Sequence, residues 1–114
     1  MDWVGQNSER HPHPVSTPPT KRGDQHPWGL HDLHGNVAEW CVDPWAKNYE
    51  SRESGVSHDP NRLTLNDDPA PPRAIRGGDW IMGAQNVRSA YRSGRHPSDR
   101  DDGPGFRLLR LSPE

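Results

Sequence analysis

The chain has 114 residues and a formal net charge of −2, so it forms one domain at most and lacks the strongly basic character of nucleic-acid-binding proteins. Hydrophobic residues make up only 28% of it, which limits the core, and 13 Pro and 11 Gly argue against long helices. A single cysteine excludes an internal disulfide, and no apolar run is long enough to cross a membrane. Because no signal peptide is recognisable, we expect a cytoplasmic protein.

Residues 1–27 are predicted to form a polar, proline-rich N-terminal segment of coil. Each residue before a proline is pushed towards an extended conformation, as in the stretch His11–Pro14. His11, His13 and His26 are expected to be solvated rather than to bind a metal, because the sequence places no third ligand near the His-Pro repeat.

The chain is organised around a turn and a predicted strand within residues 28–45. Gly35 and Asn36 are residue types that accept a positive φ at little cost, so the chain can reverse there. The segment Val37–Val42 follows as a predicted strand, and Pro44 is expected to end it because proline has no N–H to donate to a ladder.

Two carboxylates, Asp32 and Glu39, lie on either side of this bend. One interpretation is a cradle for a hard cation such as calcium, which prefers several oxygen ligands from side chains and backbone. The other is a packed turn in which Asp32 caps its own backbone as an Asx turn. The residues alone leave both interpretations open.

Residues 46–72 are predicted to form a long polar loop. Three strand-like runs with alternating apolar and polar residues follow, at 74–81, 87–92 and 106–111, and a charged loop at 96–102 separates the last two. Together they predict an antiparallel sheet with one apolar face and one face that carries arginines.

Four motifs in chain order resemble those of the formylglycine-generating enzyme family, also called the sulfatase-modifying factor family. They are Gly29–Trp40, Arg76–Trp80, Arg88–Arg92 and Gly105–Leu108. The resemblance implies an α+β fold of the C-type lectin-like type, mostly coil with a short antiparallel sheet. Since family domains are considerably longer, residues 28–114 resemble the C-terminal half of such a domain, truncated at its N-terminus.

The resemblance also sets expectations for copper. The oxidases of this family bind copper(I) through two cysteines shortly after the Arg-Gly-Gly motif, and residues 79–92 contain none. No copper and no formylglycine generation are therefore expected. Cys41 matches a common cysteine of the family's Glu-Trp-Cys segment and is expected to be a buried small hydrophobic residue.

For calcium, the resemblance points to the turn around Asp32. It implies a structural calcium ion held by the side chains of Asp32 and Glu39 and by the backbone oxygens of Gly35 and Val37. Such an ion would stiffen a scaffold rich in loops and would take no part in chemistry.

Three hypotheses on function follow. The first is a non-catalytic binding or scaffold module for a peptide, protein or small molecule, with a ligand-binding set of Trp80, Arg88, Arg92, Arg95 and Arg100. An ordinary solvated face whose arginines pair with nearby aspartates is equally open. The second is an accessory substrate domain of an iron-dependent oxidoreductase like the ergothioneine synthases, or a fragment of a formylglycine-generating oxidase.

The third hypothesis is a structural remnant without activity of its own. A half-domain with so little apolar content is expected to need either its own missing half or a partner chain that supplies it. No nucleic-acid or membrane partner is expected.

Overall fold

The computed structural model describes residues 3–17, 26–48, 70–108 and 110. These residues form one small sheet and a single-turn 3₁₀ helix, and the rest of them are turns and coil. The strands are β1 (Ala38–Pro44), β2 (Arg73–Arg76), β3 (Ser93–Arg95) and β4 (Pro104–Gly105), and the 3₁₀ helix is Ala84–Asn86. The expected coil-rich α+β architecture is thereby confirmed. In the described part of the chain, no helix has the length and apolarity that crossing a membrane requires.

The four strands lie in the order β3-β2-β1-β4. β1 and β2 are antiparallel, with Trp40 opposite Ile75, and β2 and β3 are antiparallel, with Ile75 opposite Ser93. β4 runs parallel to β1, with Ala38 opposite Pro104. The prediction of a wholly antiparallel sheet is therefore wrong at this edge. The loop after β3 crosses the sheet to its opposite edge, which brings β4 in along the direction of β1.

The predicted strands are partly displaced. β1 ends at Pro44, as predicted, although Pro44 itself still pairs with Arg73 beyond an irregularity in the ladder. The predicted strand 74–81 ends at Arg76, because Gly77 and Gly78 take φ values of 88° and 69° and turn the chain away.

Two other strand predictions are wrong. Residues 87–92 form no strand, and the carbonyl oxygens of Ser89 and Tyr91 instead accept hydrogen bonds from the Arg76 guanidinium at 3.2 and 3.5 Å. The last ladder involves residues 104–105, and the described residues of 106–111 lie outside it. There the side chain of Arg107 is bound to another part of the molecule, as described below. Most of the predicted loop 46–72 lies outside the described residues.

The core is small and unusually polar. Its buried apolar side chains are Val4, Ala38, Ala74 and Ile75, and its buried polar side chains are Ser8, Asn36 and Asp79. Each of the polar side chains is hydrogen-bonded: Ser8 Oγ donates to Trp80 O at 2.8 Å, and Asp79 Oδ1 accepts from two backbone N–H groups at 3.0 Å. Hydrogen bonds of buried polar groups thus fix much of this core, as apolar packing does in larger cores.

The described part of the N-terminal segment, residues 3–17, packs onto the central turn. Gly5 N–H donates to Met82 O at 2.8 Å, and Val4 is buried. His13 is half-buried and stacks on Trp3 with ring centroids 3.5 Å apart, so the expectation of a solvated His13 is wrong. His11 is exposed, as expected, and His26 is half-buried with its ring edge against Trp28.

Candidate functional site

The backbone of the central turn is hydrogen-bonded to two distant parts of the chain. Gly35 and Asn36 have φ values of 77° and 62°, as their residue types predict. Gly35 N–H donates to Gly77 O at 2.9 Å, Asn36 N–H donates to Trp3 O at 2.7 Å, and Asn36 O accepts from Trp80 N–H at 2.9 Å. The turn is therefore bonded both to the N-terminal segment and to the loop after β2.

The side-chain amide of Asn36 extends this junction. It is 2% exposed, its Oδ1 accepts from His13 N–H at 2.8 Å, and its Nδ2 donates to His13 O at 3.0 Å. One amide thus satisfies both backbone groups of a residue 23 positions away. We predicted Asn36 only as a turn former and missed this contact.

We call residues 31–39 the acidic turn. Its Glu39 carboxylate is held by Arg107, which follows β4: Arg107 Nε lies 3.0 Å from both Glu39 oxygens, and Nη2 lies 2.5 Å from Oε1. The same Nη2 donates to the backbone oxygen of His31 at 2.8 Å and contacts that of Asp32 at 3.4 Å. The hydrogen bond to Glu39 raises the pKa of Arg107, and the charges of Glu39 and Asp32 add to that effect against the opposing cost of burial.

Asp32 binds a different segment. Its Oδ2 accepts from Ser16 N–H at 2.6 Å, so the carboxylate ties the N-terminal segment to the turn. This contact differs from the Asx turn of the packed-turn interpretation, in which Asp32 caps its own backbone.

The four predicted calcium ligands are only partly assembled. Asp32, Val37 and Glu39 line one small cavity of about 240 Å³ that Phe106 and Arg107 also line. Gly35 is buried in the turn beside this cavity. Within the described ranges, no cluster of three or more His, Cys, Asp or Glu side chains is arranged to hold a metal ion.

As arranged, these residues do not fit calcium. The ion takes six to eight oxygen ligands, and here a guanidinium already binds both carboxylate oxygens of Glu39. Its positive charge takes the place beside Glu39 that a calcium ion would need. Calcium binding therefore stays a prediction, and it requires that Arg107 leave Glu39.

A larger groove lies where the loop between β3 and β4 crosses the sheet. Its volume is about 960 Å³, and it is lined by Trp40, Arg95, Pro97, Asp99, Arg100, Asp101, Asp102, Pro104 and Phe106. We call it the crossing groove. It combines apolar walls with a rim of three aspartates and two arginines, which is more charged than the lining of most ligand sites.

The arginines of the rim differ in their partners. Arg95 forms an ion pair with Asp101, whose other oxygen accepts from Gly103 N–H at 3.0 Å. Arg100 is exposed, and its Nη1 donates to the carbonyl oxygens of Pro97 and Asp99 at 3.1 Å. Loop carbonyls thus hold the Arg100 guanidinium at the mouth of the groove without neutralising it.

The predicted ligand-binding set is divided between several places. Arg95 and Arg100 line the crossing groove. Trp80 lines a different cavity and reaches the groove's rim only through a 3.3 Å hydrogen bond from Nε1 to Asp102 O. Arg92 lies over the Trp45 ring at 4.7 Å, and Arg88 Nε donates to Gln85 O at 3.3 Å beside the 3₁₀ helix.

Two aromatic residues of the groove were missed. Trp40 lies two residues after the buried Ala38 and so on the same face of β1, a pattern that equally predicts a core residue, and Phe106 lies in a run predicted as strand. The sequence feature that could have identified them is the position of each aromatic residue next to a charged loop segment that contains proline.

Cys41 is half-buried rather than fully buried, and its Sγ lies 3.9 Å from Glu39 O. Burial raises the pKa of this thiol, and the negative charge of Asp43 raises it further, against the opposing effect of Arg76. The thiol is therefore less ionised at neutral pH than a free cysteine, which does not favour a nucleophilic role.

Comparison with known families agrees with these motifs. Residues 2–112 match the Sulfatase-modifying factor enzyme 1-like domain. The chain belongs to the sulfatase-modifying factor family.

Curated relatives are much longer proteins. The chain is 32% identical over 96 residues to the serine/threonine-protein kinase pkn1 of Chlamydia caviae, a match that covers 82% of this chain and 15% of the relative. It is 33% identical over 86 residues to Pkn1 of Chlamydia trachomatis, covering 72% of this chain and 13% of the relative. The chain therefore corresponds to a small part of these kinases.

Two solved structures are similar in fold. Treponema denticola variable protein 1 and PvdO from Pseudomonas aeruginosa each have a TM-score of 0.66 and 30% identity to this chain. Each match covers 92% of this chain, but only 34% of the first protein and 36% of the second. The chain spans about a third of the length of both.

Proposed function

We propose that this chain is a non-catalytic binding module of the sulfatase-modifying factor family and that the crossing groove is its binding site. The observation that carries the proposal is the groove itself, which joins the rings of Trp40 and Phe106 to the guanidinium of Arg100. With one cysteine, the chain has no thiolate pair of its own for copper. Formylglycine chemistry is therefore no part of the proposal.

The groove suits a ligand with an apolar body and a carboxylate. Two aromatic rings and two prolines provide flat apolar contact area. Arg100 keeps a charged fork at the mouth, and guanidinium forks bind carboxylates in two-point geometry. The proposed ligand is a peptide segment with an aromatic or aliphatic side chain next to an acidic residue.

This proposal is tested by titrating the ¹⁵N-labelled chain with a short peptide that contains Phe and Glu, and with the matched peptide in which Lys replaces Glu. We expect shifts of the Trp40 indole signal and of residues 95–106 with the acidic peptide. Arg100→Glu should weaken this binding by about tenfold or more, because it replaces an attractive charge with a repulsive one. Shifts confined to other residues, or equal binding of both peptides, would contradict the proposal.

The lectin-like type of the fold and the calcium site are retained as parts of this proposal. A C-type lectin-like scaffold consists largely of loops, and the acidic turn is the junction at which the described loops of this chain meet. A calcium ion held by Asp32, Glu39 and the backbone oxygens of Gly35 and Val37 would stiffen that junction in a variant whose residue 107 no longer binds Glu39. The described residues favour neither the iron-dependent alternative nor the oxidase fragment, and both stay predictions, as does the cytoplasmic location.

The partner prediction is also retained as a proposal. Val15 lines the cavity beside the acidic turn and is 77% exposed, and Trp28 is 82% exposed. Such large apolar side chains are normally covered when they form a contiguous patch. We propose that further sequence of the same family packs on them, in the same protein or in a partner chain, since the related structures are about three times as long.

A further inference from the structure

We infer that Arg107 is the resident cation of the acidic turn, in the position that the family resemblance gives to calcium, so that calcium enters only by displacing it. The hydrogen-bond acceptors of its guanidinium are oxygen atoms of the kinds that also bind a hard cation. They are two carboxylate oxygens of Glu39 and the backbone oxygens of His31 and Asp32, at 2.5 to 3.4 Å.

The charge of Arg107 is well matched to this place. Glu39 and Asp32 line the same cavity as Arg107, so loss of the Arg107 charge would leave two acidic residues at one cavity without this counter-charge. The side chains of Arg107 and Glu39 are 37% and 23% exposed, so solvent screens the pair only in part. A bidentate arginine–carboxylate pair also fixes direction as well as distance, which a turn without regular secondary structure needs.

The contact spans the chain from its central turn to its last strand. Arg107 is 68 residues from Glu39 in sequence and lies two residues after β4, a strand of only two residues. The guanidinium therefore fastens the end of the sheet to the turn that also holds the N-terminal segment through Asp32 and Ser16. A structural metal ion would be expected to perform the same cross-linking.

Thermal melting of the full chain, with calcium or with a chelator, tests the inference. The variants are Arg107→Gln, which removes the charge, and Arg110→Gln, a matched control at an exposed arginine three residues along. We expect wild type and Arg110→Gln to melt at the same temperature with and without calcium. Arg107→Gln should melt about 4–8 °C lower in chelator, and millimolar calcium should restore several degrees of that loss, because the Glu39 carboxylate is then released for the ion.

Three results would overturn the inference. They are a calcium-dependent rise of the wild-type melting temperature as large as that of Arg107→Gln, an Arg107→Gln variant as stable in chelator as Arg110→Gln, and a loss of stability that calcium does not restore. If Arg107→Gln is unfolded in chelator, circular dichroism provides the readout. Recovery of the native signal on addition of calcium supports the inference, and no recovery overturns it.

Discussion

Ile75→Ala is expected to lower the melting temperature by more than about 10 °C, or to unfold the chain at room temperature. Ile75 is 2% exposed and lies in β2 between Trp40 of β1 and Ser93 of β3, at the centre of the sheet. Truncating a buried isoleucine to alanine costs about 2–5 kcal/mol. Few other apolar side chains are buried in the core, so their packing compensates little of this loss of stability.

Ile81→Ala is the matched control for this prediction. It makes the same chemical change at a residue that is 61% exposed, so the melting temperature should change by no more than about 2–3 °C. Differential scanning calorimetry on both variants measures the two effects. Equal losses for Ile75→Ala and Ile81→Ala would show that the sheet centre is not the core of this chain.

Asn36→Ala is expected to have the second-largest effect, a loss of about 2–4 kcal/mol. The substitution leaves the backbone N–H and C=O of His13 without their amide partner and places alanine at a φ of 62°. Because both hydrogen bonds to His13 are only part-buried, each one lost costs about 0.5–1.5 kcal/mol, and the left-handed backbone adds about 1 kcal/mol. Chemical denaturation measures the total.

Asn36→Gly separates the two contributions. Glycine accepts the positive φ but has no amide, so it should recover only about 1 kcal/mol relative to alanine. In both variants, hydrogen exchange at His13 N–H and at neighbouring amides of residues 3–17 should accelerate, while β1 and β2 keep their protection. A glycine variant as stable as wild type, with slow exchange at His13, would show that the amide contact does not hold the N-terminal segment.

The parts of the fold that the sequence predicts well are those set by local chemistry. The turn at Gly35 and Asn36 is where two residues that tolerate positive φ predict it, and the alternation after it predicts most of β1. The glycine pair at 77–78 lies inside the predicted run 74–81, and both glycines take a positive φ where β2 has ended.

The parts that were missed depend on distant partners. A parallel β4 follows from a loop that crosses the sheet, and nothing within residues 104–105 shows the direction in which they pair. The same holds for residues 87–92, whose alternation resembles that of a strand although their carbonyls are bonded to the side chain of Arg76. Alternation indicates which residues can be buried on one face, but it does not indicate which strand or side chain pairs with them.

The candidate sites show the same division. Asp32 and Glu39 were recognised because acids on either side of a bend are visible in a short window, and the structure does bring both to one cavity. Arg107 was recognised only as part of the motif Gly105–Leu108, because its contact with Glu39 spans 68 residues. In the crossing groove, Arg95 and Arg100 were recognised by charge, whereas Trp40 and Phe106 carry no mark that distinguishes a groove wall from a core.

The most direct test of the role of Arg107 is the ¹⁵N–¹H NMR signal of its side-chain Nε–H group in the full chain. Because Nε lies 3.0 Å from both oxygens of Glu39, we predict a resolved, slowly exchanging signal that persists in millimolar calcium and is lost in Glu39→Gln. An Arg107 Nε–H signal that exchanges as fast as that of a free arginine, and that Glu39→Gln leaves unchanged, would contradict the account.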